Sequence, residues 1–577
     1  MNRTLFFGIL ALAGSAVSAQ NTLTKEITLD KDYVPIERKA TKTNALPATV
    51  ERKAEKTPLD YSQWSVPTVV PSDIPTMLPY GYNTTKEWSK QRGYVDFGIG
   101  TQLNIVGNAG INILTTEKYK LGVWYQHLSS WMGKNKAHIP YRDGVLPQYK
   151  QKFNDNKFGV NFRSEFYAGT LDVMARGHLD KYNLYAASED MNHNMLEVGI
   201  NANWKSRTAP NEFNYRVGLD YNFLKFLDMQ YQRAKTKEQD FKINFSGEYQ
   251  SGDYSHAGIN AELEILSQNV DYRWESGKSS VPEQTISGSS DGMVTLNPYF
   301  LYSKTKLRAL IGAVINLSWG TGPFFRIAPR VGLDYAITNG VGVYLKAEGG
   351  KRINTISKMH QISRYWCPNV NFYDTYSPLD GEIGVKAGPF NGFSAHALFG
   401  YGIFKDAIVP TACSAAKYFE YRINNMSGWK AGVGVNYKYR SLAEADLSFT
   451  YAPQKAESGY MLGLDRAKAV MNARITVNPI EKLSVSLGYE MRLKRALESP
   501  LSSEYFADVL VETAPLATTL KPLQNVHNLS LGARYTLLKS LTLWANAANI
   551  LNKRWESYGD YMYGQGFNFM AGLEFRF

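Results

Sequence analysis

The chain has 577 residues, a formal net charge of +12 and an aromatic content of 13%, yet its mean hydropathy is only −0.33. Beyond the N-terminal segment, no apolar run approaches the length of about 18 residues that a transmembrane helix requires, so the composition excludes helical membrane spans. The basic residues alternate with aromatic and apolar ones instead of forming a block, which argues against a nucleic-acid-binding protein.

The N-terminus has the three parts of a secretory signal peptide. Asn2 and Arg3 give a short positive region, an apolar run extends to Val17, and small residues precede Gln20. The apolar run is too short to span a bilayer as a helix. We therefore predict that residues 1–19 are a signal peptide and that the protein is exported.

Residues 20–92 differ in composition from the rest of the chain. Charged residues of both signs mix with Thr and Pro up to Asp60, and a proline-rich stretch follows at 65–82. Frequent proline removes backbone donors and favours extended, loop-like chain. We expect a periplasmic N-terminal segment that has no core of its own.

From Tyr94 onward, apolar and polar residues alternate at every second position. Clear examples are residues 93–104, 195–205 and 212–223. Successive side chains of a strand point to opposite faces, so this period predicts half-buried strands. The polar positions carry Arg, Asp, Glu and Asn, which suits a water-filled interior.

Ten short turn-like breaks interrupt the alternation, and longer irregular stretches lie between them. The breaks are residues 115–118, 167–170, 208–211, 251–253, 303–306, 338–340, 389–392, 440–443, 478–482 and 537–540. With both termini on the short-turn side, this pattern implies about 22 strands, within an acceptable range of about 14 to 22. We predict an all-β, transmembrane antiparallel β-barrel over residues 93–577, closed by pairing of its first and last strands.

The last eleven residues alternate perfectly and end on an aromatic side chain. The apolar positions include Phe567, Phe569, Leu573, Phe575 and Phe577. This segment resembles the C-terminal insertion signal of outer-membrane β-barrel proteins, which the barrel-assembly machinery reads. The resemblance implies a multi-pass barrel in the outer membrane of a Gram-negative bacterium, with membrane lipid and that machinery as partners.

Residues 541–577 also resemble the last two strands of TonB-dependent receptors. The run Asn549–Asn552, followed by the aromatic Trp555, matches the pattern before the final loop, and residues 379–388 resemble a recurring strand of these barrels. Together with the signal peptide, the barrel is most similar to Bacteroidota outer-membrane proteins of this group. The resemblance implies passage of a small ligand across the outer membrane.

The resemblance does not extend to the plug domain, because residues 20–92 are too short for one. We therefore predict a barrel without a standard plug, closed by the proline-rich segment, by inward-folded loops or by a partner subunit. An energy-coupling segment would lie near the mature N-terminus. Glu26, Ile27, Thr28 and Leu29 are the candidates, although any charged extended peptide would show the same pattern.

Cys367 and Cys413 are the only two cysteines. An even pair in an exported protein predicts a disulfide, here between two outer loops. Two unpaired thiols are the alternative.

The eight histidines show no metal-ligand spacing, and the sequence contains no GxSxG, P-loop or zinc motif. His178 shares one strand face with Asp172, Arg176 and Asp180, which we interpret as a solvated lumen-facing row and not as a catalytic set. We predict no metal site, no cofactor and no enzymatic activity.

Two functions remain open at this point. The first is passage of a small ligand by a TonB-dependent receptor-like barrel. The alternative is a non-transporting scaffold barrel of an outer-membrane complex for protein assembly, export or surface-lipoprotein display. In that case residues 20–92 would bind a periplasmic or surface-lipoprotein partner.

Overall fold

The computed structural model describes residues 92–135, 149–186, 189–207, 212–229, 236–250, 252–269, 288–364, 374–412, 419–456, 466–500, 518–553, 555–557, 562–563 and 566–577. The predicted signal peptide, the N-terminal segment apart from Arg92, the energy-coupling candidates Glu26–Leu29 and both cysteines lie outside these residues.

Period-2 alternation is realised as long antiparallel strands. The first half of the barrel contains β1 (Gly93–Gly100), β2 (Ile105–Thr115), β3 (Tyr119–Asn135), β4 (Tyr149–Phe166), β5 (Gly169–Ala186), β6 (Glu189–Ser206), β7 (Phe213–Met229), β8 (Lys237–Gln250), β9 (Ser255–Asn269), β10 (Ser289–Lys304), β11 (Leu307–Trp319), β12 (Phe325–Thr338) and β13 (Val341–Arg352).

The second half contains β14 (Thr375–Phe390), β15 (Phe393–Ala412), β16 (Phe419–Tyr439), β17 (Ala443–Tyr451), β18 (Gln454–Ala456), β19 (Arg466–Ile480), β20 (Leu483–Pro500), β21 (Thr518–Pro522), β22 (Val526–Leu538), β23 (Leu541–Ala548) and β26 (Asn568–Arg576). A separate two-stranded ribbon, β24 (Glu556–Ser557) and β25 (Met562–Tyr563), lies in the last connection.

Helix is scarce in the described part of the chain. It comprises one 3-10 turn, Thr101–Leu103, and one short α-helix, α1 (Ile356–Ile362), in the connection between β13 and β14. Neither is long and apolar enough to cross a membrane.

The main sheet contains 24 strand segments that form 22 barrel strands. Segments β17 and β18 both pair with β16, and β21 and β22 both pair with β20, so each of these pairs is one interrupted strand. The fold is therefore a closed antiparallel barrel of 22 strands. Nine of the ten predicted short breaks lie between consecutive strands at the same end of the barrel, and residues 208–211 lie outside the described residues. The favoured number of 22 strands is confirmed.

The barrel closes between its first and last strands, as predicted. Strand β1 pairs with β26 in a register that runs from Tyr94 opposite Arg576 to Gly100 opposite Met570. The backbone N–H of Phe577 donates to the carbonyl of Gly93 over 3.0 Å, and the reverse bond has the same length. No free sheet edge remains along this seam of the described barrel.

The apolar faces of the strands point outward. On β26, Leu573 and Phe575 are 42% and 43% exposed, whereas Glu574 between them is only 8% exposed. This arrangement is the reverse of a water-soluble sheet, which buries its apolar face. The polar residues therefore line the lumen, and a barrel of this kind needs an apolar environment outside it.

Candidate functional site

A segment of the chain enters the lumen between β13 and β14 and carries helix α1. A helix of seven residues is marginal by itself in water, so tertiary contacts must hold it. Thr355 caps its first turn by accepting a bond from the backbone N–H of Lys358 over 3.1 Å. Its apolar residues Ile356 and Met359 are buried at 0% and 3% exposure.

The first turn of α1 is bound by Glu238, which projects from β8 into the lumen. The backbone N–H groups of Ile356 and Ser357 donate to the two Glu238 carboxylate oxygens over 2.5 and 3.1 Å. Gln268 on β9 donates to the same carboxylate over 2.7 Å. These bonds satisfy backbone donors that have no partner within a helix, and the negative charge suits the positive end of the helix dipole.

Glu197 on β6 makes a second contact to the same turn. Its Oε1 accepts from the hydroxyl of Ser357 over 2.8 Å and from the amide of Asn222 over 2.8 Å. Its Oε2 lies 3.5 Å from Nδ1 of His178 on β5. The first turn of α1 is therefore bound directly by two strands of the barrel wall, β8 and β6.

The other end of α1 contacts the carboxylates of β4 and β5. His360 Nε2 lies 2.9 Å from Asp180 Oδ2, and Arg364 donates to Asp180 and Asp155 over 3.0 and 3.3 Å. Asp155 also lies 3.0 Å from His178 Nε2. We call this set the lumenal cluster; its members are Asp155, His178, Asp180, Glu197, His360 and Arg364.

The root of the inserted segment is closed by a buried ion pair. Lys351 Nζ, at the end of β13, lies 2.8 Å from Asp374 Oδ2, just before β14, and both side chains are almost fully buried. The same ammonium group donates to the Ser318 hydroxyl over 2.6 Å and to the Thr321 carbonyl over 2.8 Å. This pair joins the two chain ends from which α1 is suspended.

A charged group of α1 itself faces the wall of β8 and β9. Lys358 donates to the carbonyl of Ile353 over 2.9 Å. Burial lowers the pKa of Lys358, the charge of Lys242 lowers it further, and the carboxylates Glu264 and Asp240 partly offset this effect.

A second arc of the lumen, on β12 to β16, carries five basic side chains, one of which, Lys430, is paired with Glu382 at 2.8 Å. The guanidinium of Arg326 lies 4.6 Å from the ring centre of Tyr376, and that of Arg330 lies 5.4 Å from the ring centre of Tyr299. Arg326 Nε and Arg330 Nη1 have no hydrogen-bond partner among the described residues. We call this arc the cationic wall; it comprises Arg326, Arg330, Lys346, Lys386 and Lys430.

The predicted row on β5 is present, but its side chains are paired. Arg176 lies 3.8 Å from Asp220, and Asp172 lies 3.7 Å from Arg163. His178 and Asp180 belong to the lumenal cluster. The row faces the lumen as expected, and it contributes an ion-pair network in place of separately solvated groups.

Sequence reasoning missed Asp155, Glu197 and the whole of α1. Asp155 and Glu197 could have been placed from the sequence. The short turn at residues 167–168 fixes the register of β4 and β5, so that Asp155 faces Asp180. Glu197 likewise faces His178 across β5 and β6. Helix α1 has only its cap Thr355 as a signal, since a helix of about two turns shows no reliable periodicity.

The predicted insertion-signal residues share one surface. Each of them is between 42% and 48% exposed on the outer face at the C-terminus; they are Phe567, Phe569, Leu573, Phe575 and Phe577. Phe569, Leu573 and Phe575 lie in β26, the strand that closes the barrel, and Phe567 and Phe577 directly flank it.

A closed 22-strand antiparallel barrel, apolar outside and polar inside, has the architecture of the large outer-membrane β-barrels. No protein-family model matches the chain, and no curated protein matches its sequence.

Three solved structures illustrate the likeness in fold. The siderophore receptor PirA from Acinetobacter baumannii is 10% identical, with a TM-score of 0.65 over 85% of this chain and 81% of that one. The FrpB iron transporter from Neisseria meningitidis is 9% identical, with a TM-score of 0.63 over 85% and 82%. The pyoverdine outer membrane receptor FpvA from Pseudomonas aeruginosa is 12% identical, with a TM-score of 0.62 over 85% and 79%.

Proposed function

We propose that this protein is an outer-membrane barrel of the TonB-dependent receptor type, without a standard plug, that passes a small ligand through its lumen. The insertion of α1 into the lumen carries the proposal, because a barrel of this size needs its lumen obstructed to be selective. The polar contacts of α1 lie on one wall, at Glu238, Glu197 and Asp180, so they can be exchanged for contacts with water or ligand.

The ligand class that we propose to test first is the ferric siderophores, since similarly folded barrels include a siderophore receptor and an iron transporter. The cationic wall supports an anionic chelate, because it brings two guanidinium and three ammonium groups to one arc of the lumen. Arg326→Gln combined with Arg330→Gln should then weaken binding of a ferric siderophore to the purified protein. Unchanged binding would remove the wall from the ligand path.

Conductance in planar bilayers tests the passage function. A variant in which a Gly-Ser linker of equal length replaces residues 355–364 should conduct more than the native chain. Replacing residues 252–254, a turn at the opposite end, by Gly and Ser is the control and should leave conductance unchanged. Removal of residues 20–92 forms a second arm, since we propose that this segment is periplasmic and adds to the closure.

The outcome separates the two functions. Opening of the pore in either arm supports ligand passage. A barrel that stays closed in both arms and co-purifies with stoichiometric partners would instead establish the scaffold function.

We also propose that Cys367 and Cys413 form a disulfide, which thiol labelling tests. We further propose that Glu26–Leu29 couple the protein to an energy source, which deletion of these residues tests.

A further inference from the structure

The lumenal cluster brings together side chains that are typical metal ligands. One ligand atom from each of Asp155, His178 and Asp180 lies within 4.8 Å of the other two. These residues come from two neighbouring strands, β4 and β5, whose register is fixed by a two-residue turn. A rigid sheet therefore holds three donors at a spacing that a single ion can bridge after small side-chain movements.

Two further donors adjoin these residues, with Glu197 at the ring nitrogen of His178 that does not face Asp155. Glu197 Oε2 lies 3.5 Å from Nδ1 of His178, and His360 Nε2 lies 2.9 Å from Asp180 Oδ2. The ring centres of His178 and His360 are 6.3 Å apart. The barrel wall thus supplies three carboxylates and one imidazole, and α1 supplies a second imidazole.

His360 gives an independent indication that the cluster is not fully satisfied. The side chain is only 6% exposed, and its Nδ1 has no hydrogen-bond partner among the described residues. A buried imidazole nitrogen without a partner is unfavourable. Because the other nitrogen faces Asp180, a movement of the ring within the cluster would let either nitrogen serve as a ligand.

The charge of the cluster is also suited to a cation. Three carboxylates are opposed by two permanent positive charges. Arg364 binds Asp155 and Asp180 and lies over the ring of Phe153 at 4.3 Å, and Lys157 faces His178 across β4 and β5. The carboxylates therefore outnumber these two cations. Mixed imidazole and carboxylate donors suit borderline divalent metals such as Zn²⁺.

We propose that Asp155, His178 and Asp180, with His360 from α1, bind one divalent transition-metal ion and that this ion takes the place of the Arg364 guanidinium. The inference departs from the sequence prediction of no metal site, which rested on spacing along the chain. The ligands come from three separate segments, so no short motif records them. The ion would link α1 to the barrel wall independently of which ligand the lumen passes.

Calorimetric titration of the full-length protein, purified in detergent and freed of metal, with Zn²⁺ tests the inference. We expect one site per chain. His178→Gln should weaken Zn²⁺ binding by about tenfold or more, and Asp155→Asn should weaken it similarly. Arg364→Gln should strengthen it, because the competing cation is removed.

His256→Gln is the matched control. His256 also faces the lumen and pairs with one carboxylate, Glu248, at 3.2 Å, but no third ligand group joins them among the described residues. This variant should bind Zn²⁺ as the native chain does. Absence of a stoichiometric site, equal affinity in His178→Gln, or equal losses in His178→Gln and His256→Gln would overturn the proposal.

Folding of each variant is checked by its heat-dependent gel mobility. If His178→Gln does not fold, Asp155→Asn and Arg364→Gln decide the question, since a metal site requires opposite changes in affinity. The conductance result does not enter this test, so failure of the metal site and failure of the passage function are distinguishable.

Discussion

Single carboxylates organise the lumen of this barrel. Glu238 accepts bonds from two backbone N–H groups and one amide, and Glu197 accepts from a hydroxyl and an amide. Charged acceptors give stronger hydrogen bonds than neutral ones. Because Glu238 is fully buried, its carboxyl group depends on these donors, and the first turn of α1 depends on that carboxyl group.

Glu238→Gln should loosen the first turn of α1. The substituted amide keeps one acceptor oxygen, but its NH₂ group meets one of the two backbone N–H donors of Ile356 and Ser357. We expect a local loss of about 1.5–3 kcal/mol, the usual value for hydrogen bonds to a charged group. Hydrogen–deuterium exchange of these two amides measures it.

Glu248→Gln provides the control, because Glu248 lies on the same strand and accepts from Tyr299 instead of α1. It should leave exchange at Ile356 and Ser357 unchanged. Equal exchange in both variants and the native protein would show that Glu238 does not hold the helix.

The Lys351–Asp374 ion pair should behave as a coupled unit. Removing one partner leaves a buried charge without its counter-ion, which costs about 3–5 kcal/mol, whereas removing both is close to neutral. Lys351→Met and Asp374→Leu should each destabilise the barrel, and the double variant should recover much of the loss. A double-mutant cycle on unfolding free energies gives the coupling, and simple additivity would contradict it.

At the scale of elements, the sequence predicts the strands well and α1 poorly. Strands leave a period-2 pattern and turns leave short breaks, so even the weak break at residues 167–170 could be recognised from the shift of apolar parity between Phe162 and Leu171. Cross-strand neighbours within a hairpin then follow from the turn. Helix α1 owes its position to side chains from β5, β6 and β8, and such distant contacts leave no pattern within residues 353–364.

The seam between β1 and β26 is an element-scale prediction that cross-linking can test. Val95 and Phe575 are directly opposite each other and both face outward. With the native cysteines changed to Ser, Val95→Cys/Phe575→Cys should form an intramolecular disulfide, because opposite residues lie within bonding range. Val95→Cys/Leu573→Cys is the control; its diagonal spacing of about 7–8 Å should prevent efficient bonding. Equal yields would contradict the register.

The whole molecule keeps its architecture with very little sequence identity to similar barrels. Its alignments to solved receptors reach TM-scores of 0.62 to 0.65 at identities of 9% to 12%. Each barrel position requires only an apolar or a polar residue, as its face demands, so many sequences satisfy one fold.

Substitution by arginine on the two faces of one strand tests the orientation of the molecule in a membrane. Leu487, the fifth of the 18 residues of β20, faces outward, and the neighbouring Ser486 faces the lumen. Leu487→Arg should reduce the free energy of folding into lipid by about 2–4 kcal/mol, as arginine does at a bilayer midplane. Ser486→Arg should cost less, since its charge enters the polar lumen. Equal costs would argue against lipid around the barrel.

The inserted segment is attached to the barrel at three places along its length. Lys351 and Asp374 form an ion pair at the root of the segment. Glu238 accepts a hydrogen bond from the first turn of α1, and Asp180 accepts one from Arg364 beyond its last turn. We therefore expect the attachments at Glu238 and Asp180 to be lost independently of each other, so that displacement of α1 from the lumen would pass through a state held at one end only.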